Sequence, residues 1–320
     1  MKIINSLKNS SNPTAMLILF FVCQFFVFGQ SEQEKEILKT FSHKETVVYK
    51  TIDGVTLDMI IFYPSPDKVK EKNPWMLHVH GGGWAGGSKY KNLRKSFLGT
   101  LKSLLEEGVI CVTIEYRKAS RTFGGTTAYE AVIDAKDAAK FLLKNAEKYK
   151  LDKKKYGVWG GSAGGHLSLL AALGKNSDYQ GDPKLLNYSP KFKCVASYFP
   201  ATSLLNSELV PGSLFEKQDS YIRILGDSLK NKPQLAKLLS PTIQLKKNSP
   251  PILLIHGEND KVLPIINSTY MVEVAKEKNA EVELLTIKNA GHSFSGTNIS
   301  PSFKELNQYV TDFILSNLKE

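Results

Sequence analysis

Gly160-Gly161-Ser162-Ala163-Gly164 spells G-x-S-x-G, between an apolar strand pattern ending near Trp159 and a helical pattern beginning near Ala163. A serine hydroxyl is a weak nucleophile at neutral pH. It becomes useful when a sharp strand-to-helix turn lifts it clear of the backbone and a base stands ready to take its proton. In so tight a turn the residues two before and two after must be nearly free of side chain, as Gly160 and Gly164 are. A helix start at Ser162 also brings backbone N–H groups, including that of Ala163, and the positive end of the helix dipole to where negative charge would develop on an attacked carbonyl. A purely structural glycine turn would carry the same letters without needing the flanking strand and helix.

A base and an orienting acid must come from later in the chain, and where this motif is used they follow in the order serine, acid, histidine. His292, in Gly291-His292-Ser293, follows an apolar run ending near Ile287, and Asp260, in His256-Gly257-Glu258-Asn259-Asp260, follows one ending at His256. Glu258 is the alternative acid, since one loop could present either carboxylate. The remaining histidines read differently: His43 precedes the first strand, His78 sits inside a strand pattern as a core residue, His166 bonds locally on its helix, and His256 supports the acid loop.

His80-Gly81-Gly82-Gly83-Trp84 stands directly after the apolar run Trp75 to Val79. Glycines expose backbone donors, so the N–H groups of Gly82 and Gly83, with that of Ala163, are the expected oxyanion hole, and His80 the brace of their loop. Gly81-x-Gly83-x-x-Gly86 also satisfies the dinucleotide fingerprint, but no helix signal opens promptly after it. Gly87-Ser88-Lys89 reverses the order that a phosphate-binding loop needs, and no H-E-x-x-H or comparable spacing appears. The reading therefore calls for no cofactor and no metal.

The elements that must hold these residues alternate, which implies a mostly parallel sheet covered by helices on both faces. Thr46 to Lys50 and Val55 to Tyr63 flank Asp53-Gly54, a hairpin dipeptide, so the sheet opens with an antiparallel pair. More apolar strands follow at Trp75 to Val79, Val109 to Ile114, Tyr156 to Trp159, Cys194 to Tyr198, Ile252 to His256 and Val282 to Ile287, eight in all. Thr127 to Lys148, Ile265 to Lys278 and Pro301 to Leu318 carry apolar residues at helical spacing. The stretch Ala201 to Pro250 is too long for an ordinary connection and reads as a small lid insertion over the site.

Lys2 and Lys8 precede an apolar run from Met16 to Phe28, too short for a comfortable membrane span and suited to a signal peptide, residues 1–29, cleaved after Gly29. The alternatives are an uncleaved anchor and a lipoprotein held through Cys23, which bulky Phe20, Phe21 and Val22 disfavour. Residues 30–320 then form one domain of an exported protein, secreted or periplasmic, without stable membrane association. The formal charge of +11 becomes +9 without the leader, and the lysines are dispersed, which fits a solvated surface better than a nucleic-acid interface. Cys111 and Cys194 fall in strand patterns and read as free core thiols, although export would permit a bridge.

With these blocks in order, the chain resembles the hormone-sensitive-lipase-like and BD-FAE-type (bifunctional feruloyl and acetyl xylan esterase-like) branch of the α/β-hydrolase fold. His80 to Trp84, Gly160 to His166, His256 to Asp260 and Gly291-His292 match its signature blocks, and the similarity runs from about Thr46 to the end. The resemblance implies a serine esterase acting on carboxylic esters of small acyl groups, its substrate a small molecule or a carbohydrate ester such as an acylated plant polysaccharide. It also implies a structural pair between Tyr116-Arg117 and Asp134. A prolyl-oligopeptidase-type peptidase or an arylformamidase would share the machinery. A non-catalytic binding protein on the same fold would be expected to have lost one of the three side chains. Nothing in the sequence speaks to oligomeric state.

Overall fold

The Asp53-Gly54 dipeptide does turn a hairpin: both residues hold positive φ, +51° and +74°, joining strand β1 (Lys44–Ile52) to β2 (Val55–Phe62). Positive φ at both central residues is what a two-residue turn needs to match the twist of its strands. The computed structural model describes residues 32–90, 93, 96–120, 122, 124–205 and 218–319. The leader expected at residues 1–29 lies outside them.

Six further strands complete the sheet: β3 (Asn73–Val79), β4 (Ile110–Ile114), β5 (Leu151–Gly161), β6 (Val195–Tyr198), β7 (Ile252–Gly257) and β8 (Val282–Ile287), in the spatial order β1-β2-β4-β3-β5-β6-β7-β8. β2 pairs antiparallel with β1 and β4, and every other pairing is parallel. β5 begins five residues earlier than its apolar run suggests, because its polar first half, Asp152 to Lys155, extends the strand outward.

Before the sheet comes helix α1 (Glu32–Lys39). Helix α2 (Ser96–Glu106) follows β3, α3 (Ala128–Lys144) follows β4, and α4 (Ala163–Leu173) follows β5. Among the described residues three short helices, α5 (Gln218–Leu225), α6 (Pro233–Leu238) and α7 (Pro241–Gln244), lie between β6 and β7. α8 (Ile266–Lys278) and α9 (Phe303–Lys319) close the chain. Trp75, Leu77 and Val79 point to a core shared with α3, α4 and α8, whereas Met76 points to a second core shared with α2 and α9. Alternation along one strand thus feeds both faces, the period-two consequence of the pleat. α4 is apolar nearly all round and nearly all buried, as a helix enclosed by neighbours must be.

One local feature departs from simple alternation. β1 carries a bulge between Val48 and Lys50, and Tyr49 and Lys50 are both buried. The Lys50 ammonium reaches Asp134 Oδ1 and Asp137 Oδ2 on α3, each at 2.7 Å, and Arg117 donates three hydrogen bonds to Asp134, all at 2.9 Å. The Arg117–Asp134 pair implied by the resemblance is therefore part of a larger buried network. Cys111 and Cys194 are buried, free thiols, and burial pushes that of Cys194 up to about 12. Among the described residues no helix is long and apolar enough to cross a membrane.

Candidate active site

Ser162 sits between β5 and α4 at φ +56°, ψ −123°, a conformation that a residue with a side chain holds only when its surroundings enforce it. The enforcement is close packing. A Cβ on Gly160 would lie 2.4 Å from Val79 O and one on Gly164 2.1 Å from the same atom, so the turn rests on the end of β3 with no room for a methyl. Ser162 N–H donates to Tyr198 O at the end of β6 (2.9 Å), and Ser162 O accepts from His166 N–H (3.0 Å).

His292 lies in the turn His292–Phe294 after β8, where Ser293 and Phe294 both hold positive φ. Its Nε2 is 3.1 Å from Ser162 Oγ, and its Nδ1 is 2.7 Å from Asp260 Oδ2. The three residues singled out from the sequence are thus brought into one line. Asp260 is further held by the N–H groups of Val262 and Leu263, which donate to Oδ1 at 2.8 and 2.9 Å. Burial alone would raise the Asp260 carboxyl, but His256 Nε2 at 3.4 Å, the hydrogen bond from His292 and the Leu263 N–H keep it well below the ordinary carboxylate range. Glu258 is exposed and touches the Asn289 N–H at 3.4 Å, away from His292. His256 donates from Nε2 to Leu263 O and accepts at Nδ1 from the Ser268 hydroxyl, both at 2.7 Å, which fixes the acid loop to α8.

On the other side of Ser162 runs the glycine loop. Gly82, Gly83 and Trp84 hold φ of +131°, +59° and +59° in succession, and a Cβ on Gly82 would lie 2.3 Å from Gly86 O. Among the described residues neither the Gly82 nor the Gly83 N–H has an acceptor, which leaves two backbone donors beside the helix start at Ala163. His80 donates from Nδ1 to Gly81 O (2.8 Å) and stacks on Tyr116 with ring centroids 4.2 Å apart. The Tyr116 hydroxyl donates in turn to His80 O at 2.9 Å. Trp84 Nε1–H donates to His166 Nδ1 (3.1 Å), and His166 Nε2–H donates to Leu239 O (2.8 Å), beyond α6. His166 therefore bridges three distant segments instead of bonding locally, and burial, which lowers it to about 4, keeps it neutral in that role.

Comparison with known proteins gives the family and the fold. The family model described as BD-FAE matches residues 59–274, which include Ser162 and Asp260. The chain belongs to the BD-FAE family. Its similarity to esterase LipQ of Mycobacterium tuberculosis is 28% identity over 222 residues, 69% of this chain and 50% of LipQ. To esterase LipC of the same organism it is 25% over 273 residues, 80% of this chain and 61% of LipC, so the chain spans half to three fifths of these relatives. The fold is similar to that of a truncated carbohydrate esterase from gut microbiota (TM-score 0.73, 22% identity, covering 88% of this chain and 98% of that one). It is also similar to that of Thermogutta terrifontis esterase 2 phosphonylated by sarin (TM-score 0.70, 22% identity, covering 86% and 95%). These likenesses establish the α/β-hydrolase fold.

In this BD-FAE chain a cavity of about 440 Å³ opens in front of Ser162. Phe97 from α2 and Phe199 just after β6 line it, with Val262 and Leu263 beside the acid loop. Trp84 borders the cavity while itself buried, and Trp159 belongs to the second core. α5 adds Arg223 to the lining. Residues 206–217, part of the expected lid, lie outside the described residues, and the segment around Leu239 packs against α4 instead. Arg223 and Phe97 carried no signal in the sequence, because helical spacing does not tell which residue of a short helix faces the cavity. Phe199 could have been found, since this class of sheet binds ligands beyond the carboxyl ends of its strands. Among the described residues no group of three or more His, Cys, Asp or Glu side chains is arranged to hold a metal ion.

Proposed function

We propose that this BD-FAE member is a serine esterase that cleaves carboxylic esters of small acyl groups through an acyl-enzyme, with Ser162 as nucleophile, His292 as general base and Asp260 as its orienting acid. The observation that carries the reading is the unbroken line Ser162 Oγ, His292, Asp260, with contacts of 3.1 and 2.7 Å, facing two unclaimed glycine amides. His292 Nε2 takes the hydroxyl proton as Ser162 Oγ attacks the ester carbonyl, and Asp260 stabilises the imidazolium. The tetrahedral oxyanion is held by the N–H groups of Gly82, Gly83 and Ala163, each worth about 3 kcal/mol in the transition state. The alcohol leaves with the proton from His292, and water, activated by the same imidazole, releases the acid and restores the serine.

Support for small acyl groups comes from the modest cavity closed by Phe97 and Phe199. Thermogutta terrifontis Est2, similar in fold, was solved with propionate and with butyrate bound. A carbohydrate substrate is favoured by the name of the gut carbohydrate esterase and by a 27% identity over 145 residues to endo-1,4-beta-xylanase B of Butyrivibrio fibrisolvens. Deacylation of an acetylated or feruloylated polysaccharide outside the cytoplasm agrees with the signal-like leader. Replacing Ser162 by Ala is expected to lower turnover of a short p-nitrophenyl ester by on the order of 10⁶ and to abolish labelling by a fluorophosphonate. Retained turnover and labelling would refute the assignment.

A further inference from the structure

We infer that Arg223 is a substrate-recognition residue that selects esters carrying a carboxylate close to the scissile bond. The inference rests on the esterase reading of the same site and goes beyond it by naming the charge of the substrate.

The argument begins with how Arg223 is held. α5 is pinned through Tyr221, Ile224 and Leu225, all buried at 3% exposure or less, so the face of the helix that meets the core is fixed. It is closed by a hydrogen bond from Gly226 N–H to Ile222 O, and Gly226 O accepts from Gly124 N–H across the neighbouring loop. Arg223 is left on the flank that meets the cavity. Its Nη1 lies 3.4 Å from where a Cβ on Gly83 would stand, beside one of the two glycines whose amides face the ester carbonyl.

The second step is what surrounds the guanidinium. Arg223 is half-buried, and among the described residues no ion pair or hydrogen bond joins it. Among the described residues the rest of the lining is apolar or neutral apart from His292, and no Asp or Glu contributes to it. A guanidinium held beside a reacting centre with no carboxylate partner among the described residues offers a planar fork of donors that matches a carboxylate with two parallel hydrogen bonds. A neutral ester leaves that fork to water. The net charge, +11 for the whole sequence and +9 without the expected leader, adds a long-range field of the same preference.

Two ester classes carry this chemistry. In a half-ester of a dicarboxylic acid the carboxylate rides on the acyl side, and in an O-acylated uronate it rides on the alcohol side. The test uses the full chain and two matched pairs: ethyl hydrogen succinate against its neutral isostere ethyl 4-methylpentanoate, and acetylated methyl glucuronoside against acetylated methyl glucoside. The quantity read is the ratio of kcat/KM, anionic over neutral, in the wild type, Arg223→Gln and Arg223→Lys. In wild type the ratio is expected to exceed unity by about tenfold or more in one pair, the usual scale of a charge-assisted contact. It should collapse toward unity in Arg223→Gln, survive in part in Arg223→Lys, and shrink as ionic strength rises. The pair that responds tells which side of the ester bears the carboxylate. A wild-type ratio at or below unity in both pairs, or a preference that persists in Arg223→Gln, overturns the inference. Fluorophosphonate labelling of Ser162 in all three proteins keeps the two readings apart: labelling with an unchanged ratio sinks only the role of Arg223, whereas wild type that is neither labelled nor active sinks the esterase reading beneath it.

Discussion

Asp260 and Glu258 sit two residues apart on one loop, and the sequence offers either as the partner of His292. What separates them is backbone direction: Asp260 turns inward, where the Val262 and Leu263 amides hold one oxygen and His292 Nδ1 meets the other, while Glu258 turns out to solvent. In the proposed mechanism Asp260→Asn preserves volume but removes the charge that would stabilise the imidazolium and disturbs the tautomer that frees Nε2. It is expected to lower kcat by about 10⁴, the scale seen when an orienting aspartate is made an amide elsewhere. Glu258→Gln is expected to leave kcat near that of wild type, and steady-state kinetics on one short ester compare the two directly. The reverse ranking would transfer the role to Glu258. Residues of this kind are legible in sequence because the chemistry demands particular side chains at particular points of a repeating strand-loop-helix order. Arg223 was not legible, because any of several polar residues in a short insertion could face the cavity and only the pinned face of α5 decides which one does.

At the scale of elements, strand alternation and helical spacing revealed all eight strands and the covering helices α3, α8 and α9, since burial on one face or both leaves its period in the sequence. The bulge in β1 leaves no such trace. An extra residue on one strand reverses the inside-outside pattern beyond it, and that is how Lys50 comes to be buried beside two aspartates of α3. Charges removed from water in this way are stable only when paired. Lys50→Met keeps the length of the side chain but leaves Asp134 with Arg117, and Asp137 with Lys140 at 3.4 Å and the Asp182 N–H. The expected loss is about 3–5 kcal/mol, measured by urea denaturation. Adding Asp137→Leu should give a total loss smaller than the sum of the two single losses, because Lys50 and Asp137 bond each other directly in the wild type. Additive losses in the double variant would show that the two groups do not interact.

The whole molecule stacks two cores on one sheet, and each encloses a neutral histidine. His166 lies against Trp84 in the core shared with α4, and His78 lies against Phe97 and Trp159 in the other, its Nδ1 3.2 Å from the Thr113 hydroxyl. Burial lowers His166 to about 4 and His78 to about 3, against 6.5 for an exposed imidazole. The sign follows from which state binds protons. Between pH 6.5 and pH 4 the unfolded chain protonates both rings while the folded chain protonates neither, so acid favours the unfolded state and stability rises with pH across this window, reaching its full value above 6.5. Each ring contributes about 1.4 kcal/mol per pH unit there, so the pair removes about 4 kcal/mol between pH 7 and pH 5. Glu115, lowered to about 2 because His80, Lys118 and the Lys89 N–H outweigh its burial, contributes in the same direction only below its ordinary value of 4.5, and so adds little between pH 7 and pH 5. His166→Gln keeps a side-chain donor near Leu239 O but cannot take up a proton in either state. Urea denaturation of wild type and variant at pH 7.5, 6 and 5 is therefore expected to give curves that converge as the pH falls, with the variant's dependence about half as steep. Parallel curves would mean that the ring is protonated in the folded protein as readily as in the unfolded chain, which would also remove the neutral bridge that ties the glycine loop to α4.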